Sequence, residues 1–319
     1  MTAGRTILLV TAALLAPVAM ANEARDLLAR MEKAARTLDY DGVFVYQRGD
    51  QLDSLRIIHQ ARGNMVRERL LSLNGAPREI IRSDHEVRCY LPDESAVMVE
   101  HRRADNRSFP ALLPESLAVL DTSYRISLGK DSRVAGRKTK SVVIKPRDGF
   151  RYGYQLWADA QTGLLLKASL HDEQGTVLEQ YLFTSVVLDK PVPDAALEPQ
   201  NPGKNLSWQR PESPEATGRG EWEAKRLPAG YTLSARSIRQ LPGRKQPVEH
   251  LVYSDGLSVV SVFVEPVSAA SKKQTPVGLT HMGAVHVFGR VRDNHQITVV
   301  GEAPAATVDM IGDATAPIR

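Results

Sequence analysis

The side chains able to do chemistry are few and scattered along this 319-residue chain. Hydrolysis needs an activated nucleophile or a metal-bound water, and each needs several groups at workable spacing. No HExxH, GxSxG, P-loop or CxxC pattern occurs. Of the eight histidines, His281 and His286 are the closest candidates for a joint role. A spacing of five residues within one strand puts the two rings on opposite faces. The carboxylate pairs Asp93-Glu94 and Asp172-Glu173 fall in predicted turns, where solvated charge is the plainer reading. Cys89 is alone, which excludes an internal disulfide and a thiol-rich metal site. It sits in the strand-like run VRCYL and is expected to be a buried, inert thiol; an intermolecular disulfide stays open. No catalytic residue, metal site or cofactor is assigned.

What remains is shape. Residues 142–187 read as four short strands joined by turns carrying Asp148-Gly149, Thr162-Gly163 and Gln174-Gly175, the pattern of an antiparallel meander. Upstream, period-two runs begin at Tyr40 and recur to residue 101, with breakers at Gly49-Asp50, Gly63-Asn64, residues 74–77, Asp84-His85 and Pro92-Asp93. About ten strands in one antiparallel sheet must curl strongly or close. Two apolar helical segments are available to fill its concave side: residues 23–38, with Leu27, Leu28, Met31, Ala35 and Leu38 on one face, and residues 110–120. A curled sheet capped by helices makes a concave apolar pocket suited to acyl chains. Candidate lining positions are Phe44, Tyr46, Tyr152, Tyr154, Leu156, Leu164 and Leu166. For each, a sealed core explains the sequence at least as well.

The organisation follows from composition. Residues 1–21 have the charge, apolar run and Ala19-Met20-Ala21 ending of a secretory signal, with cleavage expected after Ala21. The apolar run is too short to span a bilayer and none longer follows, so a soluble exported chain is expected. Residues 22–190 form the large β domain. Residues 191–220, with six prolines, read as an extended, semi-rigid linker. Residues 221–319 form a second, smaller domain with hairpins around Asp255-Gly256 and Asp293-Asn294 and a short helix at 304–311. Residues 22–199 carry 26 Lys+Arg against 26 Asp+Glu, whereas residues 217–319 carry 12 against 9. The positive bias of the second domain favours an acidic partner. Nothing supports nucleic acid: no Lys/Arg block or nucleic-acid motif occurs.

The runs RDGFRYGY (147–154), TGLLL (162–166), LEQYLF (178–183), VEHLVYSDG (248–256), VVSVFVEP (259–266) and QITVVGEAP (296–304) together resemble the MucB/RseB family. The resemblance covers essentially the whole chain after the signal. It implies an α+β fold: an N-terminal LolA/LolB-like, curved, half-open antiparallel β-barrel with helices on its concave face, then a smaller C-terminal α/β domain. It implies a periplasmic protein that binds the periplasmic domain of an RseA/MucA-type anti-sigma factor and shields it from the site-1 protease. Lipopolysaccharide or another acyl-chain lipid would release that hold, restoring the sigma-E response. For contact with the partner, the basic positions Arg236, Arg239, Arg244 and Lys245 stand out, followed by Arg290 and Arg292. A homo-oligomer is left open. A lipid or lipoprotein carrier is the alternative function, and an extracytoplasmic enzyme the third.

Overall fold

Alternating polarity becomes alternating burial in the first strand, β1 (Tyr40–Arg48), which turns at Gly49, φ +56°, into β2 (Gln51–Arg62). The structure is a computed structural model that describes residues 16–63, 65–101, 113, 117–188, 190–200, 206–209, 220–239, 246–267 and 277–318. Antiparallel hairpins continue through β3 (Met65–Ser72), β4 (Glu79–Arg82), β5 (Glu86–Leu91) and β6 (Ala96–His101). After a short turn of helix at Leu117–Leu120 come β7 (Tyr124–Leu128), β8 (Ser132–Val134), β9 (Arg137–Pro146), β10 (Gly153–Asp159), β11 (Leu165–His171) and β12 (Val177–Val187). β12 pairs with β1 and so joins the two halves, and β13 (Ser207–Gln209) adds in parallel to β6.

Among the described residues the sheet has thirteen strands, ordered β13-β6-β5-β4-β3-β2-β1-β12-β11-β10-β9-β7 with β8 against β9. Among these residues it is open: β13 and β7, its end strands, do not pair with each other. It also curls. β8 stands four strand steps from β12, which in a flat sheet would be ~19 Å, yet the two lie in contact.

Helix α1 (Ala16–Thr37) crosses the concave face between β7 and β2. Its apolar stripe, Ala24, Leu27, Leu28, Met31 and Ala34, is buried against Tyr40, Phe44, Leu156, Leu164, Leu166 and Phe183. Each large side chain so buried contributes ~1.5–3 kcal/mol, which fixes the helix in the curl.

One small residue is required there. A Cβ on Gly42 would lie 2.7 Å from a Phe183 ring carbon and 2.8 Å from the Ser185 carbonyl oxygen. Backbone cannot yield as a side chain can, so Gly42→Ala is expected to lower unfolding free energy by ~1–3 kcal/mol in urea titrations. An unchanged midpoint would mean that β1 and β12 separate more easily than their pairing implies.

The second domain begins with β14 (Trp222–Ala224). Its sheet contains β15 (Thr232–Arg239), β16 (Val248–Ser254), β17 (Val259–Pro266), β18 (Gly278–Met282), β19 (Val285–Arg292) and β20 (His295–Glu302) in the order β15-β16-β17-β20-β19-β18. Helix α2 (Ala305–Ala314) packs on β19 and β20, and β21 (Thr315–Pro317) pairs with β14. Leu251, Val262, Val299, Val308 and Ile311 form its core.

The structure departs from the sequence reading in two places. The sheet exceeds ten strands because β8 and β13 lack apolar alternation; only Val134 of β8 is buried. The proline-rich stretch, expected to be extended, is not extended throughout where described. Asp194–Leu197 forms a short turn of helix whose Leu197 is buried with Ile58 and Val192, and Gln60, Arg62 and Arg69 bond to its backbone or side chains. Residues 102–112 and 114–116, most of the second expected cap, lie outside the described residues, as do 1–15.

Candidate functional site

The two domains meet along a seam, and its centre is Arg151, whose side chain is fully buried. The guanidinium donates to both oxygens of Asp148 at 3.0 and 3.2 Å and to the Ala229 carbonyl at 2.5 Å. Its remaining bond, 2.9 Å, goes to Asp255 Oδ2 at the β16–β17 turn. Asp255 Oδ2 also accepts from the Tyr124 hydroxyl at 2.8 Å, and Oδ1 from the amides of Leu257 and Ser258. The Tyr124 and Tyr231 rings lie 5.5 and 5.2 Å from the guanidinium carbon. A planar fork between aromatic faces and carboxylates suits arginine and no other residue. Burial, then the Asp255 charge, pushes the Tyr124 hydroxyl far above its ordinary range, so it stays a donor. Around this joint the Thr307 hydroxyl donates to the Phe150 carbonyl at 2.6 Å and Tyr152 to the Ala284 carbonyl at 3.3 Å.

Beside the joint the concave face is not filled. A cavity of about 110 Å³, open on one side, is walled by Tyr46, Tyr154, Leu170 and Tyr181 of the first domain and by Leu257 and Glu302 of the second. That volume is below the ~300–1,000 Å³ of pockets that enclose a whole small ligand, so the open cavity suits part of an apolar chain. Two carboxyl groups meet in its wall. Glu302, at the end of β20, is hydrogen-bonded to Glu179 of β12, and Tyr46 donates its hydroxyl to Glu179 Oε2. Burial first, then the Glu179 charge and hydrogen bond, raise Glu302 to about 7. Among the described residues no group of three or more His, Cys, Asp or Glu is placed to hold a metal ion.

The seven lining candidates divide. Phe44, Leu156, Leu164 and Leu166 are sealed against α1. Tyr46 and Tyr154 line the cavity, and Tyr152 is buried in the seam with Leu170 and Ala284. The basic candidates do not converge either. Arg236 pairs with Glu249 at 3.2 Å. Arg290 bonds to the Asp313 carboxylate and carbonyl at the C-terminal end of α2, and Arg292 to the Thr315 carbonyl. Arg244 and Lys245 lie outside the described residues, as does the Arg239 side chain. The histidine reading is corrected: His281 and His286 sit on different strands, β18 and β19, directly paired with ring centroids 5.5 Å apart. Gly283, φ +60°, makes the tight turn that a one-strand reading overlooked. His286 reaches the seam, with Nδ1 3.3 Å from the Tyr152 hydroxyl of the first domain and 2.9 Å from the Ala303 carbonyl of its own.

Sequence reasoning missed Arg151, Asp255, Glu179 and Glu302 as site residues. One signal was present: Glu179 is in phase with Tyr181 and Phe183, so a charge stands on the strand's buried face.

Comparison with known proteins follows this architecture along both domains. Residues 23–201 match the family model of the MucB/RseB N-terminal domain, and residues 216–316 that of the MucB/RseB C-terminal domain. The chain is 32% identical over 315 residues to the sigma factor AlgU regulatory protein MucB of Pseudomonas aeruginosa, covering 98% of this chain and 97% of that one. It is 29% identical over 291 residues to the sigma-E factor regulatory protein RseB of Escherichia coli K12, covering 90% and 88%. Among solved structures, the Pseudomonas aeruginosa MucA/MucB complex superposes with a TM-score of 0.73 at 30% identity, over 93% of this chain and 99% of that one. A crystal structure of MucB with MucA(peri) gives 0.71 at the same identity and coverage.

Proposed function

The chain belongs to the MucB/RseB family, and on that premise we propose that it is a periplasmic regulatory binding protein. Residues 22–190 sense lipid, the stretch 191–220 ties the domains, and residues 221–319 bind the periplasmic domain of an RseA/MucA-type anti-sigma factor. Bound there, the protein keeps the site-1 protease away and restrains the sigma-E envelope-stress response. An acyl-chain lipid such as lipopolysaccharide enters the cavity and loosens the hold. No catalytic step is part of this function.

The observation that supports it is the cavity's double wall. Tyr46, Tyr154 and Leu170 come from one domain and Leu257 and Glu302 from the other, so a chain filling the space presses on the seam itself. Lipid and partner are then coupled through the seam's geometry. Release reaches only as far as the lipid's preference for the released state over the bound one.

The test is binding of residues 22–319 to the purified periplasmic domain of the host's anti-sigma factor, with and without lipopolysaccharide. Binding that the lipid weakens is the expected outcome. Absence of binding under both conditions, with stoichiometric lipid retained and passed to an acceptor, would favour the carrier reading. The mass of the exported protein should place its first residue at Asn22.

A further inference from the structure

We propose that Glu302 and Glu179 form a proton-operated latch across the domain seam, closed while the two carboxyl groups share a proton and opened when that proton leaves. The latch specifies how the seam is regulated, and so rests on the reading of the seam as the protein's moving part. Two carboxylates cannot sit hydrogen-bonded in a half-dry wall unless one is protonated, because an acceptor needs a donor.

The surroundings decide where the proton resides. Tyr46 donates to Glu179 Oε2, and its own hydroxyl is held far above its ordinary range by burial and by that bond. Glu179 thus already accepts a hydrogen bond, and Glu302 is left to donate. The other groups facing the pair are Arg48 on β1, Tyr152 and Tyr154 at β10, Tyr181 on β12 and His286 on β19. Arg48 favours the ionised form of Glu302 but does not prevail. Its stem packs on the Gly283 turn, where an added Cβ would lie 3.2 Å from Arg48 Cγ and 3.9 Å from Glu179 Oε1. The turn thus sets the second domain against the same carboxyl group. Deprotonating the pair leaves like charges in contact on opposite domains, and separating the domains is the motion that rehydrates both.

The sign follows from linkage. Glu302 rises from an ordinary 4.5 to about 7 when the seam is closed. Its contribution to closure is complete below 4.5 and is lost as pH rises through about 7. A single such proton makes closure about twentyfold more favourable at pH 5.5 than at pH 7.5. His59 works the other way: burial lowers its pKa, so acid opposes the fold there. The comparison must therefore be between variants at each pH.

The experiment measures urea unfolding of the full chain from pH 5 to 8 for the native protein, Glu302→Gln and Glu179→Gln. Glutamine keeps the size and a donor but removes the titration. The native-to-Glu302→Gln ratio of unfolding constants is expected to change about twentyfold between pH 5.5 and 7.5, and Glu179→Gln to move the window to lower pH. A ratio constant across this range would overturn the latch, since a merely packed side chain moves stability equally at every pH. Infrared spectra give a readout that needs no stable variant for its first step. A protonated-carboxyl band present in the native protein at pH 6 and gone at pH 8 supports the latch, and a spectrum without it overturns it. Neither measurement involves lipid or partner, so the latch and the regulatory function can fail separately.

Discussion

Replacing Arg151 with alanine is expected to remove about 3–5 kcal/mol of unfolding free energy from the full chain, among the largest effects a single substitution here can have. The reason is what stays behind. Asp255 remains buried, keeping the Tyr124 hydroxyl and two amides but losing its counter-charge. The Ala229 carbonyl, 2.5 Å from the guanidinium, loses its donor, and the space between the Tyr124 and Tyr231 rings empties. Arg151→Lys should recover little, because an ammonium cannot reach Asp148, Asp255 and Ala229 from one plane. A double substitution, Arg151→Met with Asp255→Leu, should recover only part of the loss, since no buried charge is then stranded but the Tyr124 hydroxyl and the Leu257 and Ser258 amides lose their acceptor. Urea titrations of the three variants decide it. A loss below about 1 kcal/mol for the alanine variant would mean that the seam opens readily in solution and that water reaches Asp255. The same variant should loosen the grip of one domain on the other, so any partner that needs the closed seam should bind it less well.

The contrast between what the sequence foretells and what it hides has a physical basis. Phe44, Leu156 and the α1 stripe announce themselves because burial by the chain's own neighbours produces a local period, two in a strand and 3.6 in a helix. The meander is marked by glycine turns, and the two later hairpins by Asp255-Gly256 and Asp293-Asn294, for the same local reason. The joint leaves no such trace. Asp148 and Asp255 each precede a glycine in a turn, where a carboxylate normally faces water, and only the arrival of the other domain buries Asp255. Glu302 falls in phase with Thr298 and Val300, on the less buried side of β20. It is covered because the first domain's wall is there. Both halves of the joint nonetheless lie within runs that carry the family resemblance, RDGFRYGY and VEHLVYSDG. Those runs identify the family without stating that they touch.

Two substitutions should separate the sealed core from the open cavity, which the sequence left undecided for all seven positions. Leu156→Ala is expected to cost about 2–5 kcal/mol, because Leu156 is buried against α1 and its removal leaves a void the curled sheet cannot close. Acyl-chain binding by the folded fraction should be unchanged. Leu257→Trp should do the reverse. Leu257 is half-buried at the Gly256 turn and lines the cavity from the second domain, so an indole there fills space that is already open. Stability should move by less than about 1.5 kcal/mol, while affinity for a fluorescent fatty-acid probe should fall at least about tenfold, or about 1.4 kcal/mol. Urea titration and probe titration of both variants form the comparison. Should Leu156→Ala weaken the probe and Leu257→Trp leave it untouched, the acyl chain enters beneath α1. The seam cavity would then serve the latch alone, and lipid would act on the partner through the helix instead of through the wall that the domains share.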